Sequence, residues 1–201
     1  RLLETILLAA KKITNADGGT LYRHPPGQDT LTFETIRTDS LGIAMGGPTG
    51  VKIPYPPIRL RDPQGRENTT MVVANTVLKG RTVAITDAYQ EQGYDFAGTK
   101  AFDRHTGYRS QSFLTVPMKN HQDEIIGVLQ LINAQDRLTG DIVPFSDTDQ
   151  RLAESLASQA AVALTNRLLI VQLETLFESF VGLLNKAIDE KSPYTGGHCK
   201  R

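Results

Sequence analysis

One stretch, RSQSFLTVPMKNHQDEIIGVLQLIN from Arg109 to Asn133, constrains the fold more than any other part of the chain. Over Ser112–Lys119 the side chains alternate in part between two faces, with Leu114, Val116 and Met118 on one of them, which predicts a β-strand. The polar residues Asn120–Asp123 that follow predict a turn. Ile125–Ile132 is apolar on both faces, which is typical of a central strand that is covered on both sides. We therefore expect an α+β fold: a central antiparallel sheet with helices on one face and a second layer, able to enclose a ligand pocket, on the other.

The charge balance and the cysteine count exclude several classes of function. The 22 basic and 22 acidic residues give a net charge of zero, which argues against nucleic acid as the main partner. The single cysteine, Cys199, allows neither a disulfide within the chain nor a thiolate zinc cluster. This composition suits the reducing cytoplasm, where we expect the protein to work. No apolar run approaches the roughly 18 residues of a membrane span, so none is expected.

The first third of the chain predicts a helix followed by a hairpin. Leu2, Leu3, Ile6, Leu7 and Ala10 recur at helical spacing, and Asn15–Gly19 has the composition of a turn. Thr20–His24 and Thr30–Arg37 then predict two paired strands. Asp39–Asn68 is rich in proline and glycine and is predicted to be an irregular flap over the pocket.

The segment before the central hairpin predicts a helix, a strand and a polar loop. The helix is expected over Asn68–Leu78, with Asn68 or Thr69 as its cap and an end at Lys79-Gly80. The segment Thr82–Thr86 is predicted to be a strand. Phe96–Tyr108 is predicted to be a loop with about one helical turn, rich in groups that could bond a ligand.

After Pro144 the sequence predicts a very long helix, capped by Ser146 or Asp147 and running to about Lys191. Its first half carries a stripe expected to pack on the sheet: Leu152, Leu156, Ala160, Ala163 and Leu164. Its second half carries a heptad row: Leu169, Leu173, Leu176, Phe180, Leu183 and Ala187. A second apolar row lies beside it: Ile170, Phe177, Val181, Leu184 and Ile188. These rows predict a parallel homodimer.

Candidate ligand-binding residues come from the mixture of aromatic and polar side chains before the hairpin. These candidates are Tyr89, Phe96, Phe102, Asp103, Thr106 and Tyr108. Pockets combine aromatic walls with a few polar groups, but a loop that caps its own core has the same composition, and both interpretations stay open. His105 could bind haem, although a lone histidine in a polar loop is more often structural.

Residues 1–165 resemble the GAF family of small-molecule sensor domains. The resemblance lies in four sequence segments: NADGGTLYRH, TVLKGRTVAITDAY, FAGTKAFDRHTGYRSQSFLTVPMKN and EIIGVLQLINA. The resemblance implies a central antiparallel sheet with helices on one face and a ligand pocket on the other. Cyclic-nucleotide-binding members carry a motif that matches Asn133, Phe145 and Asp149 here, but Ala134 and Gln150 replace its Lys and Glu. A cyclic nucleotide is therefore one candidate for the unknown small molecule.

The end of the chain, FESFVGLLNKAIDEKSPYTGGHCKR, resembles the beginning of an HD-GYP domain. Members of that family are metal-dependent phosphohydrolases that cleave cyclic di-GMP, and the resemblance makes His198 the first metal ligand in a full-length enzyme. It implies a linker helix over residues 166–190 and the start of the hydrolase at 191–201. Divalent iron or manganese is expected in that downstream domain. No cofactor is expected in this chain, which lacks the remaining ligands.

These features predict a regulatory sensor domain of a bacterial cyclic di-GMP phosphodiesterase that signals through its long helix. The alternative is a structural dimerisation module with a vestigial pocket. An enzyme in its own right is disfavoured, because the acidic residues are too dispersed to predict a catalytic pair.

Overall fold

The structure, a computed structural model, describes residues 2–191. Its helices and strands, in chain order, are α1 (Leu2–Thr14), β1 (Ala16–Arg23), β2 (Thr30–Thr38), β3 (Ile43–Gly46), a 3-10 turn (Gly47–Thr49), β4 (Ile58–Arg59), α2 (Val72–Lys79), β5 (Val83–Ile85), α3 (Ala97–Thr106), β6 (Phe113–Lys119), β7 (Ile125–Gln135), β8 (Ile142–Val143) and α4 (Asp147–Lys191). The strands form one antiparallel sheet in the order β3-β2-β1-β7-β6-β5, with β4 paired to β2 and β8 to β7.

The predicted hairpin forms the centre of this sheet. β7 pairs with β6 on one side and with β1 on the other, so the strand that is apolar on both faces is central, as predicted. Asn120 organises the turn: its side-chain Oδ1 accepts the backbone N–H groups of Gln122 and Glu124. Asp123 adopts the left-handed conformation, with φ of 62°. The expected sheet and its hairpin are confirmed.

Helix α1 packs on the face of the sheet opposite the cavity described below. Gly19 in β1 permits this close approach, because a Cβ there would lie 2.7 Å from Leu7 Cδ1 and 3.1 Å from the Gln130 carbonyl oxygen. The predicted turn over Asn15–Gly19 is therefore wrong beyond its first residue. Asn15 alone reverses the chain, with φ of 50°, and β1 begins at Ala16. Gly19 serves helix-to-strand packing, and Gly18 lies within β1 against Thr38 of β2 and Ile132 of β7.

Two segments predicted to be irregular contain regular structure. Within Asp39–Asn68, β3 and β4 pair with opposite ends of β2. Phe96–Tyr108 is mostly the helix α3: Asp95 Oδ1 accepts the Ala97 N–H at its start, and Gly107 ends it with φ of 73°. Helix propensity and these end signals outweighed the polar composition that suggested a loop. Helix α2 begins at Val72, later than predicted, and ends before Gly80 as expected.

Helix α4 starts with a reciprocal cap between Ser146 and Asp149. Ser146 Oγ accepts the Asp149 N–H at 3.1 Å, and Asp149 Oδ2 accepts the Ser146 N–H at 2.9 Å. The buried stripe of its first half consists of Ala153, Ala157, Ala160 and Ala161. Of the expected stripe, Ala160 is buried, whereas Leu152 and Ala163 are exposed. Small side chains let the helix lie close to its neighbours, whereas a leucine row would hold it farther away.

The compact unit that carries the sheet ends at Val162, and the rest of α4 belongs to a second unit. In that second unit the heptad row is exposed: Leu169, Leu173, Leu176, Phe180, Leu183 and Ala187. By length and composition alone, α4 over Asp147–Ala187 also meets the requirements of a membrane span, contrary to the sequence analysis. A single helix of this kind is weak evidence for a span, so the expected absence of a span stays a prediction.

Candidate functional site

A cavity of about 500 Å³ lies on the face of the sheet away from α1. Gln130 and Ile132 of β7 form its floor, whereas Leu131, between them, lies on the α1 face. The flap strands β3 and β4 and the beginnings of α2 and α3 form its walls. This is the position that the sequence predicted for a ligand pocket.

The lining is mainly apolar, with a smaller number of polar groups. The apolar lining residues are Phe33, Ile36, Ile43, Met45, Pro56, Ile58, Met71, Val72, Val73, Phe96, Phe102, Phe113 and Ile132. The polar ones are Thr20, Tyr22, Thr38, Tyr55, Asp95, Thr99, Tyr108, Ser110 and Gln130. A cavity of this size and composition suits one small organic molecule.

Three of the six candidate residues lie on the cavity wall. Phe96 and Phe102 belong to the beginning and the middle of α3, and Tyr108 lies just after that helix. Phe96 packs against Phe113 of the floor, with ring centroids 5.3 Å apart. Ligand contact by these three residues remains a prediction.

The other three candidates, Tyr89, Asp103 and Thr106, do not line the cavity. Asp103 is buried, and its carboxylate accepts hydrogen bonds from the Tyr89 hydroxyl and from both the backbone N–H and the hydroxyl of Ser110, each at 2.8 Å. Thr106 Oγ1 donates to the Phe102 carbonyl oxygen at 2.9 Å. Asp103 and Thr106 thus hold α3 and the following loop in place behind the wall.

Tyr108 links the cavity wall to β1. Its hydroxyl donates to Asp17 Oδ2 at 2.6 Å, and the same carboxylate accepts the backbone N–H and the hydroxyl of Ser40. Burial, followed by the hydrogen bond to Asp17, raises the pKa of Tyr108 well above its ordinary value of 10.0. The phenol therefore stays protonated and acts as a fixed hydrogen-bond donor to Asp17.

A polar row crosses the central strands and includes Thr20 and Gln130 of the cavity lining, and the sequence analysis did not identify it. Thr20, Gln130 and Thr115 are aligned across β1, β7 and β6. The Tyr22 hydroxyl donates to Gln130 Oε1, and Gln130 Nε2 donates to Thr115 Oγ1, both at 3.2 Å. The available signal was Gln130 itself, a polar residue in an otherwise apolar central strand, because a buried amide needs partners.

The residues that match the cyclic-nucleotide motif lie outside the cavity lining. Asn133 is buried with φ of 56°, and its side chain accepts the Gln111 N–H at 2.7 Å and donates to the Arg109 carbonyl oxygen at 2.8 Å. Asp149 caps α4, and Phe145 immediately precedes that cap. Asn133 and Asp149 therefore stabilise the chain around the ends of the central hairpin and the start of α4.

The histidine sites receive no geometric support as metal or haem centres. His105 is exposed on α3 and does not line the cavity. Among the described residues, no three His, Cys, Asp or Glu side chains come together in a way that could hold a metal ion. His198 lies outside the described part of the chain.

The family model of the GAF domain matches residues 1–164, and the chain belongs to that family. The fold agrees with solved GAF structures. The second GAF domain of DevS from Mycobacterium smegmatis superimposes with a TM-score of 0.54 at 15% identity, covering 86% of this chain and 96% of that one. The GAF domain of an Acinetobacter phosphoenolpyruvate-protein phosphotransferase gives 0.53 at 14% identity, covering 79% and 77%.

Sequence relatives are found among phosphodiesterases. The chain is 33% identical over 87 residues to the dual 3',5'-cyclic-AMP and -GMP phosphodiesterase 11A of Takifugu rubripes, covering 43% of this chain. It is 30% identical over 97 residues to the corresponding phosphodiesterase 11 of Drosophila melanogaster, covering 48% of this chain. These matches span only 9% and 6% of the two relatives, so the similarity is confined to a small part of each.

Proposed function

We propose that this GAF domain senses a small molecule in the cavity between the sheet and the flap, and regulates a catalytic domain in the same protein. The cavity carries this proposal: about 500 Å³, with aromatic walls and a few fixed polar groups on one face of a central sheet. Membership of the GAF family supports it.

The finer proposal is that the regulated enzyme is an HD-GYP-type phosphodiesterase acting on cyclic di-GMP. Its support is the resemblance of the last residues to the beginning of such a domain, which makes His198 a metal ligand in the full-length enzyme. Divalent iron or manganese would be held by that downstream domain. The sequence relatives are themselves phosphodiesterases, which is compatible with a regulatory role beside a phosphohydrolase.

We further propose that the exposed heptad row of α4 is covered by a second copy of the chain in a parallel coiled coil. Leu173, Leu176 and Leu183 are each about two-thirds exposed in a single chain, which is costly in water. Glu174 and Glu178 lie within the same apolar stretch and are also exposed. Carboxylates in the middle of a membrane span are unfavourable, so a protein partner fits this helix better than lipid.

A thermal-shift screen over cyclic nucleotides and metabolites tests the sensing function. A ligand at 100 times its Kd should stabilise the protein by about 2.7 kcal/mol. Gly98→Phe should abolish that shift, because a Cβ at Gly98 meets no atom within 4 Å and the added ring can enter the cavity. Ala97→Phe, on the same helix but off the cavity, should retain the shift. A structural module with a vestigial pocket would show no ligand-dependent shift in any variant.

Insertions in α4 test the signalling role in a protein that includes the catalytic domain. Four residues inserted after Asn166 change the phase of the heptad row, whereas seven residues preserve it. We expect the four-residue insertion to uncouple activity from ligand and the seven-residue insertion to retain coupling. Equal behaviour of the two insertions would contradict signalling through this helix.

A further inference from the structure

We infer that a short segment of the flap, residues 52–57, is a movable strap through which a ligand enters and leaves the cavity. The ring of Tyr55 holds this strap in its closed position. The inference rests on the proposed sensing function, and it names how that binding site opens and closes.

The strap covers one side of the cavity without being part of the sheet. Tyr55 and Pro56 line the cavity, and the strap connects the 3-10 turn after β3 to the start of β4. Its backbone forms no hydrogen bond to any other part of the described chain. Three of its residues, Pro54, Pro56 and Pro57, have no N–H group to donate. The strap can therefore move away from the cavity without breaking a backbone hydrogen bond.

The other walls of the cavity are fixed by hydrogen bonds. Most of them belong to strands and helices, and the lining residues in loops are bonded too. The Asp95 N–H donates to the Thr70 carbonyl oxygen at 2.8 Å. The Ser110 N–H and hydroxyl both donate to Asp103, each at 2.8 Å. Opening the cavity at these walls would break hydrogen bonds, whereas opening it at the strap separates mainly apolar contacts.

Two side-chain contacts hold the strap closed. The Tyr55 ring packs on Phe33 of β2 with centroids 5.4 Å apart, and Phe33 packs on Tyr22 of β1 with centroids 4.8 Å apart. Ile53 lies over Gly46, because a Cβ added at Gly46 would be 2.7 Å from Ile53 Cδ1. Tyr55 is nevertheless 42% exposed, so its ring is only partly shielded from water. An aromatic pair of this kind adds a modest attraction, which can break and form again.

The two ends of the strap are anchored differently. At its far end, Ile58–Arg59 pairs with β2, and the N–H of the buried Leu60 donates to the Asp29 carbonyl oxygen at 2.9 Å. At its near end, Gly50 follows the 3-10 turn with φ of 71°, a conformation that favours glycine. The prolines keep the backbone between these ends extended. The strap should therefore move as a stiff unit about its glycine end.

Stopped-flow fluorescence with the neutral probe N-phenyl-1-naphthylamine measures entry and exit in the 201-residue protein. Only binding that Gly98→Phe abolishes is assigned to the cavity. Tyr55→Ala should raise the association and dissociation rate constants together, each by about five-fold, because the strap without this ring is open for more of the time. Tyr55→Phe keeps the ring and should leave both rate constants unchanged. Met71→Ala, in the lining but off the strap, should raise the dissociation rate constant alone.

A matched pair of glycine substitutions tests the motion without changing the cavity lining. Gly50 and Gly27 have φ of 71° and 70°, and a Cβ at either position meets no atom within 4 Å. Alanine strains the backbone at both positions, but only Gly50 lies at the end of the strap. Gly50→Ala should disfavour the closed position and raise both rate constants by about three-fold. Gly27→Ala should change neither.

Cleavage by trypsin after the exposed Lys52 reports on opening in the absence of any ligand. Proteolysis of a folded protein follows the population in which the cleaved segment is released. Tyr55→Ala and Gly50→Ala should therefore be cut at this bond about three- to five-fold faster than the unmodified protein. Tyr55→Phe and Gly27→Ala should be cut at the unmodified rate, and mass spectrometry assigns the cleaved bond.

The outcomes distinguish this inference from the proposed function. An association rate constant that Tyr55→Ala leaves unchanged, or that Met71→Ala raises equally, would overturn the strap as the entrance and leave a small-molecule sensor. Equal rates for Gly50→Ala and Gly27→Ala would overturn the motion about the glycine end. If Gly98→Phe abolishes no probe binding, the sensing function fails, and trypsin cleavage alone then decides whether the strap opens.

Discussion

Tyr108 connects the candidate ligand cavity to the opposite face of the sheet through a short series of hydrogen bonds. Its hydroxyl donates to Asp17, whose backbone carbonyl oxygen accepts the Asp39 N–H at 3.0 Å. The Asp39 carboxylate in turn pairs with the buried Lys11 of α1 at 2.5 Å. Through Asp17 and Asp39, the position of the Tyr108 hydroxyl is thus connected to the ion pair of Lys11 on α1.

Removing the Tyr108 hydroxyl should lower stability. Tyr108→Phe leaves the buried Asp17 carboxylate with one donor fewer, and we expect the free energy of unfolding to fall by about 1–2 kcal/mol. Urea unfolding measures this change. Tyr55→Phe, at a half-exposed wall position, should change stability by less than about 0.5 kcal/mol. Equal effects of the two substitutions would mean that the bond to Asp17 contributes little.

The raised pKa of Tyr108 also predicts a pH dependence. Above the ordinary tyrosine value of 10.0, the unfolded chain loses the phenol proton while the folded protein retains it. Stability is therefore fully present below pH 10 and decreases as the pH rises further. Tyr108→Phe should reduce that slope by as much as ~1.4 kcal/mol per pH unit. Denaturant unfolding between about pH 9 and 11.5 measures both slopes, and identical slopes would contradict the assignment.

At the scale of elements, the approach of α1 to the sheet depends on Gly19. A methyl group there would meet Leu7 of the helix and the backbone of β7. We expect Gly19→Ala to destabilise the domain by about 2 kcal/mol, since a well-packed contact must open to admit it. Gly98→Ala, where a Cβ meets no atom within 4 Å, is the control and should be neutral or slightly stabilising. Thermal unfolding compares them, and equal midpoints would exclude tight packing at Gly19.

The start of α4 depends on the reciprocal bonds between Ser146 and Asp149. Ser146→Ala removes one acceptor for the helix N-terminus and one donor to the Asp149 carboxylate. We expect a loss of about 1 kcal/mol in the free energy of unfolding. Ser155→Ala, at an exposed position in the same helix where the hydroxyl accepts a bond from the Gln159 side chain at 3.2 Å, should change stability by less than about 0.5 kcal/mol. An equally small effect of Ser146→Ala would show that the cap contributes little to the free energy of unfolding.

For the whole molecule, the exposed row on α4 predicts that the protein associates. Leu176→Glu places a charge in the proposed seam and should shift the protein to monomer, whereas Gln172→Glu, off the heptad row, should leave the dimer intact. Light scattering coupled to size-exclusion chromatography measures the mass over a range of concentrations. A wild-type protein that stays monomeric at high concentration would contradict the coiled coil.

Patterns that are local in sequence predicted much of the fold. The hairpin, the central position of β7, the β1–β2 pair and the extent of α4 follow from periodicity and turn residues, which act over a few neighbours. The predictions that were wrong involved longer distances. The composition around Gly19 suggests a turn, and only its contact with Leu7 of α1 shows that the glycine is needed for packing. Strands β3 and β4 are too short to be predicted from sequence, because they depend on pairing with β2.

The sequence alone determined that this chain forms an antiparallel sheet with helices on one face and a second layer on the other. The reason is that apolar runs, and the alternation of apolar with polar residues, decide which surfaces of a strand are buried. Only the tertiary structure decided which polar groups face the cavity. Asp103 lies behind the wall and Gln130 lies on the floor, although Asp103 is in the more polar segment. These orientations depend on contacts between segments that are distant in the chain, such as the bond from Tyr89 to Asp103 and the bond from Tyr22 to Gln130.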